Sequence, residues 1–253
     1  MAATSHKRLT APQWFELLLD DGKSASLVDP VPTDPEASQD RLTELRRGLH
    51  LGESFVHAMG TVEAVPVVCG AFDFRFLGGS LGVAAGDRIL HALHAACSVQ
   101  GIILVCQSGG VRVQEGVPAL LQMPRLVAAR IRLAEARRPL IVIAADPTLG
   151  GVAASLVATA DVIFSEPKAR LGLSGRRASE ALHTASQVYS AEDALSAGLI
   201  DQIVPRHKLR QEIAKLLRIL GPPSLAEVDP LRQRGAQPLT DVVLDAARQK
   251  GRP

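Results

Sequence analysis

An α/β fold with a largely parallel sheet is the class this sequence predicts, and three observations predict it. Short apolar runs, Ile102-Ile103-Leu104-Val105-Cys106, Leu140-Ile141-Val142-Ile143-Ala144-Ala145 and Val162-Ile163-Phe164, are the size of strands buried on both faces. The stretches between them carry apolar residues at helical spacing, and strand–helix alternation of this kind implies parallel pairing with right-handed crossovers. Glycine pairs, Gly109-Gly110 and Gly150-Gly151, stand directly behind the first two runs. Such pairs let the backbone approach a ligand closely and present bare N–H groups to it.

The elements follow in order. Residues 9–26 read as a short amphipathic helix, with Pro12 to Leu19 at its centre, closed by Asp20-Asp21-Gly22. Residues 29–39, rich in Pro, Asp and Ser, read as a loop, and Arg41 to Leu49 as a polar, mobile helix. Residues 54–71 predict a hairpin, Val56 to Val62 and Val65 to Ala71 about a turn at Glu63-Ala64. A helix opens at Gly78-Gly79-Ser80 and runs to about Ser98, with Val83, Ile89, Leu90, Leu93 and Ala96 on its apolar face. After the 102–106 strand, one long helix spans Val113 to Ala136. The 140–145 strand leads into a helix of small residues from Gly150, then a strand at 161–164. Ser190-Ala191-Glu192-Asp193 has N-cap spacing, and Gly198 ends that helix. A short strand at 202–204, a helix from Pro205 to Leu220 and a loose tail with one helix near 239–250 complete the chain, and no internal repeat is visible. The implied organisation is an N-terminal helical and loop extension (1–50), a main α/β domain (51–220) and a C-terminal tail (221–253).

Composition narrows the function classes. The 253 residues are 47% hydrophobic and 21% charged, ordinary for a globular protein with a large core. Aromatics at 3% are too few for a base-stacking platform, and a net charge of +2 is too small to argue for nucleic acid. Cys69, Cys97 and Cys106 offer neither a disulfide framework nor a zinc ribbon. His91 and His94 have i, i+3 spacing but no evident third ligand, so no metal is expected. Asp146 and Asp161 stand at strand ends, where capping is the simple account. The first residues have no apolar signal region and no run approaches a membrane span, so a cytoplasmic protein with no membrane association is expected.

One ordered set of motifs goes further. It comprises Ala71-Phe72-Asp73-Phe74-Arg75-Phe76-Leu77-Gly78-Gly79-Ser80-Leu81-Gly82, then Ser108-Gly109-Gly110-Val111-Arg112-Val113-Gln114-Glu115, Leu121-Gln122-Met123, Asp146-Pro147-Thr148-Leu149-Gly150-Gly151-Val152-Ala153-Ala154-Ser155, Glu166-Pro167-Lys168-Ala169 and Gly198-Leu199-Ile200-Asp201. Over about residues 8–218 it resembles the carboxyltransferase β subunit of bacterial acetyl-CoA carboxylase, in the crotonase-like superfamily. The resemblance implies a crotonase-like (ClpP/crotonase) spiral of ββα units and chemistry at a thioester. Biotin carboxylated on a separate carrier protein delivers CO2, its ureido group takes the α-proton of an acyl-CoA, and the enolate attacks CO2. The family's four-cysteine N-terminal zinc ribbon has no counterpart here, so no zinc is expected. Its Gly-Pro-Arg reads Gly175-Arg176-Arg177, and Val111 stands where the family has Ala. The Ser-Gly-Gly-Val-Arg run is more similar to the β subunit of malonate decarboxylase, whereas Asp146 to Ser155 is more similar to the carboxyltransferase.

Two glycine pairs can build an oxyanion hole, which makes Gly109, Gly110, Gly150 and Gly151 the candidate catalytic residues. Gly78, Gly79, Ser80, Arg112, Gln114 and Arg177 are the candidate substrate-binding residues, with Arg112 and Glu115 able instead to pair and hold the glycine loop. Arg125, Arg130, Arg132, Arg137 and Arg138 form either a solvated basic face or a dock for CoA phosphates or an acidic carrier domain. The main expectation is a carboxyltransferase β-type subunit that binds an acyl-CoA or acyl-carrier thioester. It works with an α-type chain and a biotin carboxyl carrier protein in a hetero-oligomer such as α2β2, and makes malonyl-CoA or a related product. Residues 113–138 and 177–200 are its candidate interface. A biotin-independent malonyl-thioester decarboxylase and a non-catalytic assembly subunit are the alternatives.

Overall fold

The computed structural model describes residues 7–22, 27–28, 39–172 and 188–220. The elements, in chain order, are α1 (Ala11–Leu18), β1 (Leu27–Val28), α2 (Gln39–Leu49), β2 (Phe55–Val62), β3 (Val65–Phe72), α3 (Val83–Ala96), β4 (Ile102–Ser108), α4 (Val117–Leu120), α5 (Gln122–Glu135), β5 (Leu140–Leu149), α6 (Gly150–Val152), β6 (Val162–Ser165), β7 (Leu171–Gly172), β8 (Val188–Tyr189), α7 (Ala191–Ser196), β9 (Gln202–Ile203) and α8 (Arg206–Leu220). Residues 29–38, 173–187 and 221–253 lie outside the description, and with them the expected 29–39 loop, Arg177 and the helix near 239–250.

The sheet runs β1-β2-β3-β4-β5-β6-β9. The β2–β3 hairpin is antiparallel, closed at Glu63-Ala64 with both residues at positive φ, and from β3 to β9 the neighbours are parallel. The central strands β4 and β5 bury both sides along their apolar runs, as an unbroken apolar run requires. Ile103, Val105, Ile141 and Ile143 meet α1 and α8 on one face, with Trp14, Phe15, Ile213 and Leu217. Ile102, Leu104, Cys106, Leu140 and Val142 meet α3, α5 and the turn after β5 on the other, with Ile89, Leu93, Leu126 and Leu156. Thus α1, which the sequence places in an N-terminal extension, shares a core with the sheet.

Three elements differ from expectation, each for a local reason. The α3 helix begins at Val83, not Gly78: Gly78 and Gly79 adopt positive φ in a tight turn, and Ser80 is extended. The long 113–136 helix is broken. Gly116 (φ 60, ψ −139) interrupts it, α4 starts with Pro118 in its first turn, and α5 starts afresh at Gln122. Strand β5 runs on to Leu149, because Thr148 and Leu149 pair with β7 beyond the segment that pairs with β6. The Ser190 cap forms as expected, accepting the Asp193 N–H at 3.0 Å. Among the described residues no helix is long and apolar enough to cross a membrane.

His91 belongs to a histidine pair that its spacing to His94 did not reveal. Its Nδ1 lies 3.1 Å from Nε2 of His57, a fully buried β2 residue beside Arg88. Burial, aided by the nearby His91 and Arg88, lowers the His57 pKa to about 4. The unfolded chain takes up that proton near the ordinary value of 6.5, so stability is lost as pH falls from 6.5 toward 4. His57→Leu should flatten the fall in urea-unfolding free energy across that window. Equal pH slopes for variant and wild type would show that His57 does not titrate between the two states.

Candidate functional site

Three loops meet where β3, β4 and β5 end, the carboxyl edge at which open α/β sheets gather ligands. Each loop carries a glycine pair, and the pairs touch backbone to backbone. The Gly109 N–H donates to the Gly78 carbonyl at 2.9 Å. A Cβ on Gly79 would stand 2.2 Å from the Gln107 carbonyl oxygen. A Cβ on Gly110 would stand 3.3 Å from the Gly150 Cα, and both residues have positive φ, 112° and 59°. Only glycine supplies both the room and the dihedral angle there.

The geometry corrects the expected donor set. The Gly109 amide is committed to Gly78, and the Gly110 amide donates to Ser108 Oγ at 3.0 Å. Leu81 then forms a short parallel bridge to Val111: its N–H reaches the Gly110 carbonyl, and its carbonyl receives the Arg112 N–H, both at 2.8 Å. In that pairing the Val111 N–H points away from Leu81, and among the described residues it meets no backbone acceptor. The exposed donor of this loop is therefore one residue beyond the glycine pair. Across the Gly110–Gly150 contact, Gly151 stands in the first turn of α6, where a helix has no internal acceptor for its amides. A Cβ on Gly151 would stand 2.3 Å from Val111 Cγ2, so the two residues are in close contact. The α6 turn runs directly into a π-helical turn (Ala153–Val157), and Ser155 Oγ donates to the Gly151 carbonyl at 2.6 Å.

The expected substrate-binding residues divide. Gly78, Gly79 and Ser80 shape the turn: Gly78 O and Gly79 O accept from Gly109 N–H and Ser108 Oγ, and Ser80 Oγ accepts from Arg112 Nε at 3.0 Å. Arg112 is only 2% exposed and its guanidinium is fully engaged, so it does not reach out to a ligand. Both of its terminal nitrogens bond Glu53, and Nη1 also bonds Glu115 Oε1 at 2.8 Å. Burial opposes the charge, but Glu53 and Glu115 outweigh it and raise the Arg112 pKa. Glu115 in turn accepts the Val83 N–H at 2.6 Å, capping α3. Arg112 and Glu115 therefore hold the glycine loop, and no local pattern announces their third partner, Glu53, which lies 59 residues upstream of Arg112. Gln114 is exposed just past the glycine loop.

The flanking charges are mostly paired. Arg125 bonds Asp87 at 2.9 Å, Arg130 bonds Asp161, and Arg138 Nε reaches the Cys97 carbonyl. Asp161 does cap a strand, accepting the Leu140 N–H at 2.7 Å. Asp146 does not: it lies within β5 and binds Arg170 and Arg8. These two arginines hold its carboxyl below the usual range, although burial acts the other way. Beside the glycine loop, Val113, Val117, Leu120 and Leu121 form an exposed apolar stretch, with Val113 at 80% exposure.

Comparison with known proteins finds relatives over most of the chain. A family model, the carboxyl transferase domain, covers residues 8–204. A β subunit of acetyl-coenzyme A carboxylase carboxyl transferase from Mesorhizobium japonicum is 38% identical over 226 residues, spanning 85% of this chain and 73% of its own length. A fused β/α carboxyl transferase from Parafrankia is 42% identical over 228 residues, 85% of this chain and 37% of its own. Among solved structures, a Pseudomonas malonate decarboxylase hetero-dimer superposes with a TM-score of 0.67 at 23% identity, covering 98% of this chain and 97% of that one. The transcarboxylase 12S core gives a TM-score of 0.68 at 24% identity, over 84% of this chain and 41% of that one. These neighbours place the sheet and its crossovers in the crotonase-like α/β class.

Proposed function

The chain belongs to the carboxyl transferase domain family and is a carboxyltransferase of the acetyl-CoA carboxylase β type, and from that premise we propose that Val111 and Gly151 hold the thioester carbonyl of its substrate. The observation that carries this reading is the Val111 N–H, without a backbone acceptor among the described residues, beside the first-turn amide of Gly151. Two N–H groups aimed at one oxygen stabilise the enolate that forms when the α-proton leaves. Gly109, Gly110 and Gly150 serve as the side-chain-free floor that lets a planar thioester approach, and Gln114 lies at its rim.

Carboxybiotin, carried on a separate protein, is the co-substrate that supplies CO2 and accepts the proton. This chain's residues bind and orient the acyl group and neutralise charge on its oxygen. The device works by position rather than by nucleophilic attack. The apolar stretch Val113, Val117, Leu120 and Leu121 is the surface on which we seat an α-type chain, since a contiguous exposed apolar patch next to a site marks a partner. We assign the chain to the cytoplasm, where acyl-CoA and a reduced-thiol environment suit its free Cys69, Cys97 and Cys106.

The test is reconstitution with an α-type chain and a biotinylated carrier. Acetyl-CoA should be carboxylated, and in reverse malonyl-CoA should carboxylate biotin. A folded complex with no transfer in either direction would overturn the proposal. The Ser-Gly-Gly-Val-Arg run sustains a second reading, a malonyl-thioester decarboxylase, and CO2 loss from malonyl-thioester in the absence of biotin would favour it.

A further inference from the structure

We infer that the buried hydroxyl of Ser108 is a positioning residue, the group that points the Val111 amide at the substrate. The inference rests on the carboxyl-transfer reading above. Ser108 is the last residue of β4 and is fully buried. Its Oγ donates to the Gly79 carbonyl at 2.5 Å and accepts the Gly110 N–H at 3.0 Å. A hydroxyl has one proton and two lone pairs, so it makes both bonds at once.

The consequence lies in the peptide it holds. Gly109 and Gly110 are consecutive glycines, and the peptide between them has unusual rotational freedom. With the Gly110 N–H turned inward onto Ser108 and Gly110 at φ 112°, the Gly110 carbonyl faces Leu81 and accepts its N–H at 2.8 Å. The next amide, that of Val111, is then the one left without a backbone acceptor. Without the hydroxyl, the Gly110 N–H loses its acceptor and the Gly109–Gly110 peptide is free to rotate. The Val111 amide then keeps only the Leu81 N–H on the carbonyl of its own peptide as an anchor, and its direction spreads. The same hydroxyl ties the β4 loop to Gly79, so one side chain fixes both the height and the direction of the donor.

Ser108→Ala tests this. In the reconstituted complex kcat should fall about 10- to 100-fold, the scale of a misplaced catalytic group, while KM for acyl-CoA stays within about threefold. Ser165→Ala supplies the matched control. Its hydroxyl is also buried, at the end of β6, and bonds a carbonyl, that of Glu166, with no bond to a glycine-pair residue among the described residues; its loss should lower the melting temperature while leaving kcat unchanged. A second readout needs no partner. In the isolated chain, hydrogen exchange at the Gly110 amide should quicken at least about tenfold in Ser108→Ala and not in Ser165→Ala. Unchanged Gly110 exchange, or a Ser108→Ala kcat equal to wild type, refutes the positioning role. A wild-type complex without carboxyl transfer, with the exchange result as expected, would instead refute the functional reading and leave the hydroxyl's hold on the loop intact.

Discussion

Gly110→Val should lower carboxyl transfer by about 100- to 1000-fold while leaving a folded chain, the range expected when one oxyanion donor is lost. Two independent facts bear on the position. Its φ of 112° lies where L side chains are rarely found, and a β-branched residue is strained there more than any other. Its Cβ would also stand 3.3 Å from both the Gly150 Cα and the Leu149 carbonyl oxygen, and backbone atoms cannot swing aside as a flexible side chain can. Relief requires the β4 and β5 loops to part, and parting separates the Val111 amide from Gly151. The loss should fall mainly on kcat, because charge on the oxygen develops in the transition state and is absent from the bound thioester. Gly48→Ala in α2 is the comparison: a Cβ there meets nothing within 4 Å, and activity should be unchanged. Equal activity for Gly110→Val and wild type would remove the glycine contact from the mechanism and favour an assembly role for this subunit.

The contrast between Gly110 and Val111 shows what the sequence carried and what it did not. The sheet was legible because fully apolar runs such as 102–106 and 140–145 have only one stable use, a parallel strand covered on both faces. The hairpin was legible from its turn, and the Ser190 cap from its spacing. The place of the site was legible too, since two glycine pairs behind two strands converge once the strands lie side by side. The identity of the donating amides was not. That depends on which way each peptide faces, and here the direction is set by Ser108 Oγ and by Leu81, a residue 30 positions from Val111 whose pairing no local pattern announces. The helix expected over 113–136 failed for a related reason. Its apolar spacing is real, but Gly116 and Pro118 break it, and its first half turns outward with Val113, Val117, Leu120 and Leu121 exposed. Gly78 and Gly79 misled in the opposite sense, looking like a helix start while forming a turn that the Arg112 and Ser108 bonds require.

Removing either partner of the Glu53–Arg112 pair should cost about 3–5 kcal/mol of stability, the range for an abandoned buried charge. Both side chains are essentially buried, at 1% and 2% exposure, so neither can turn to water when the other is gone. The cost is structural as well as electrostatic, because Arg112 gathers three segments: Glu53 and Ser54 ahead of β2, Ser80 ahead of α3, and Glu115 behind the glycine loop. Glu53→Leu leaves the guanidinium with Glu115, which is itself partly exposed and already caps Val83, and should be the milder single change. Among the described residues, Arg112→Leu leaves Glu53 with only its bond from the Ser54 N–H, and it should be the more severe. For a chain of this size the melting temperature should drop by about 10 °C. The double variant Glu53→Leu/Arg112→Leu should be more stable than the sum of the singles predicts, since two apolar groups replace a pair whose desolvation was costly. Activity should nevertheless remain low in the double variant, because the glycine loop has lost its anchor even where stability returns. Urea-unfolding midpoints for the four proteins measure the first claim and the carboxyl-transfer assay the second. Single variants within about 1 kcal/mol of wild type would show that the pair is dispensable to the fold, and a fully active double variant would show that the donor loop is held by Ser108 and Leu81 alone.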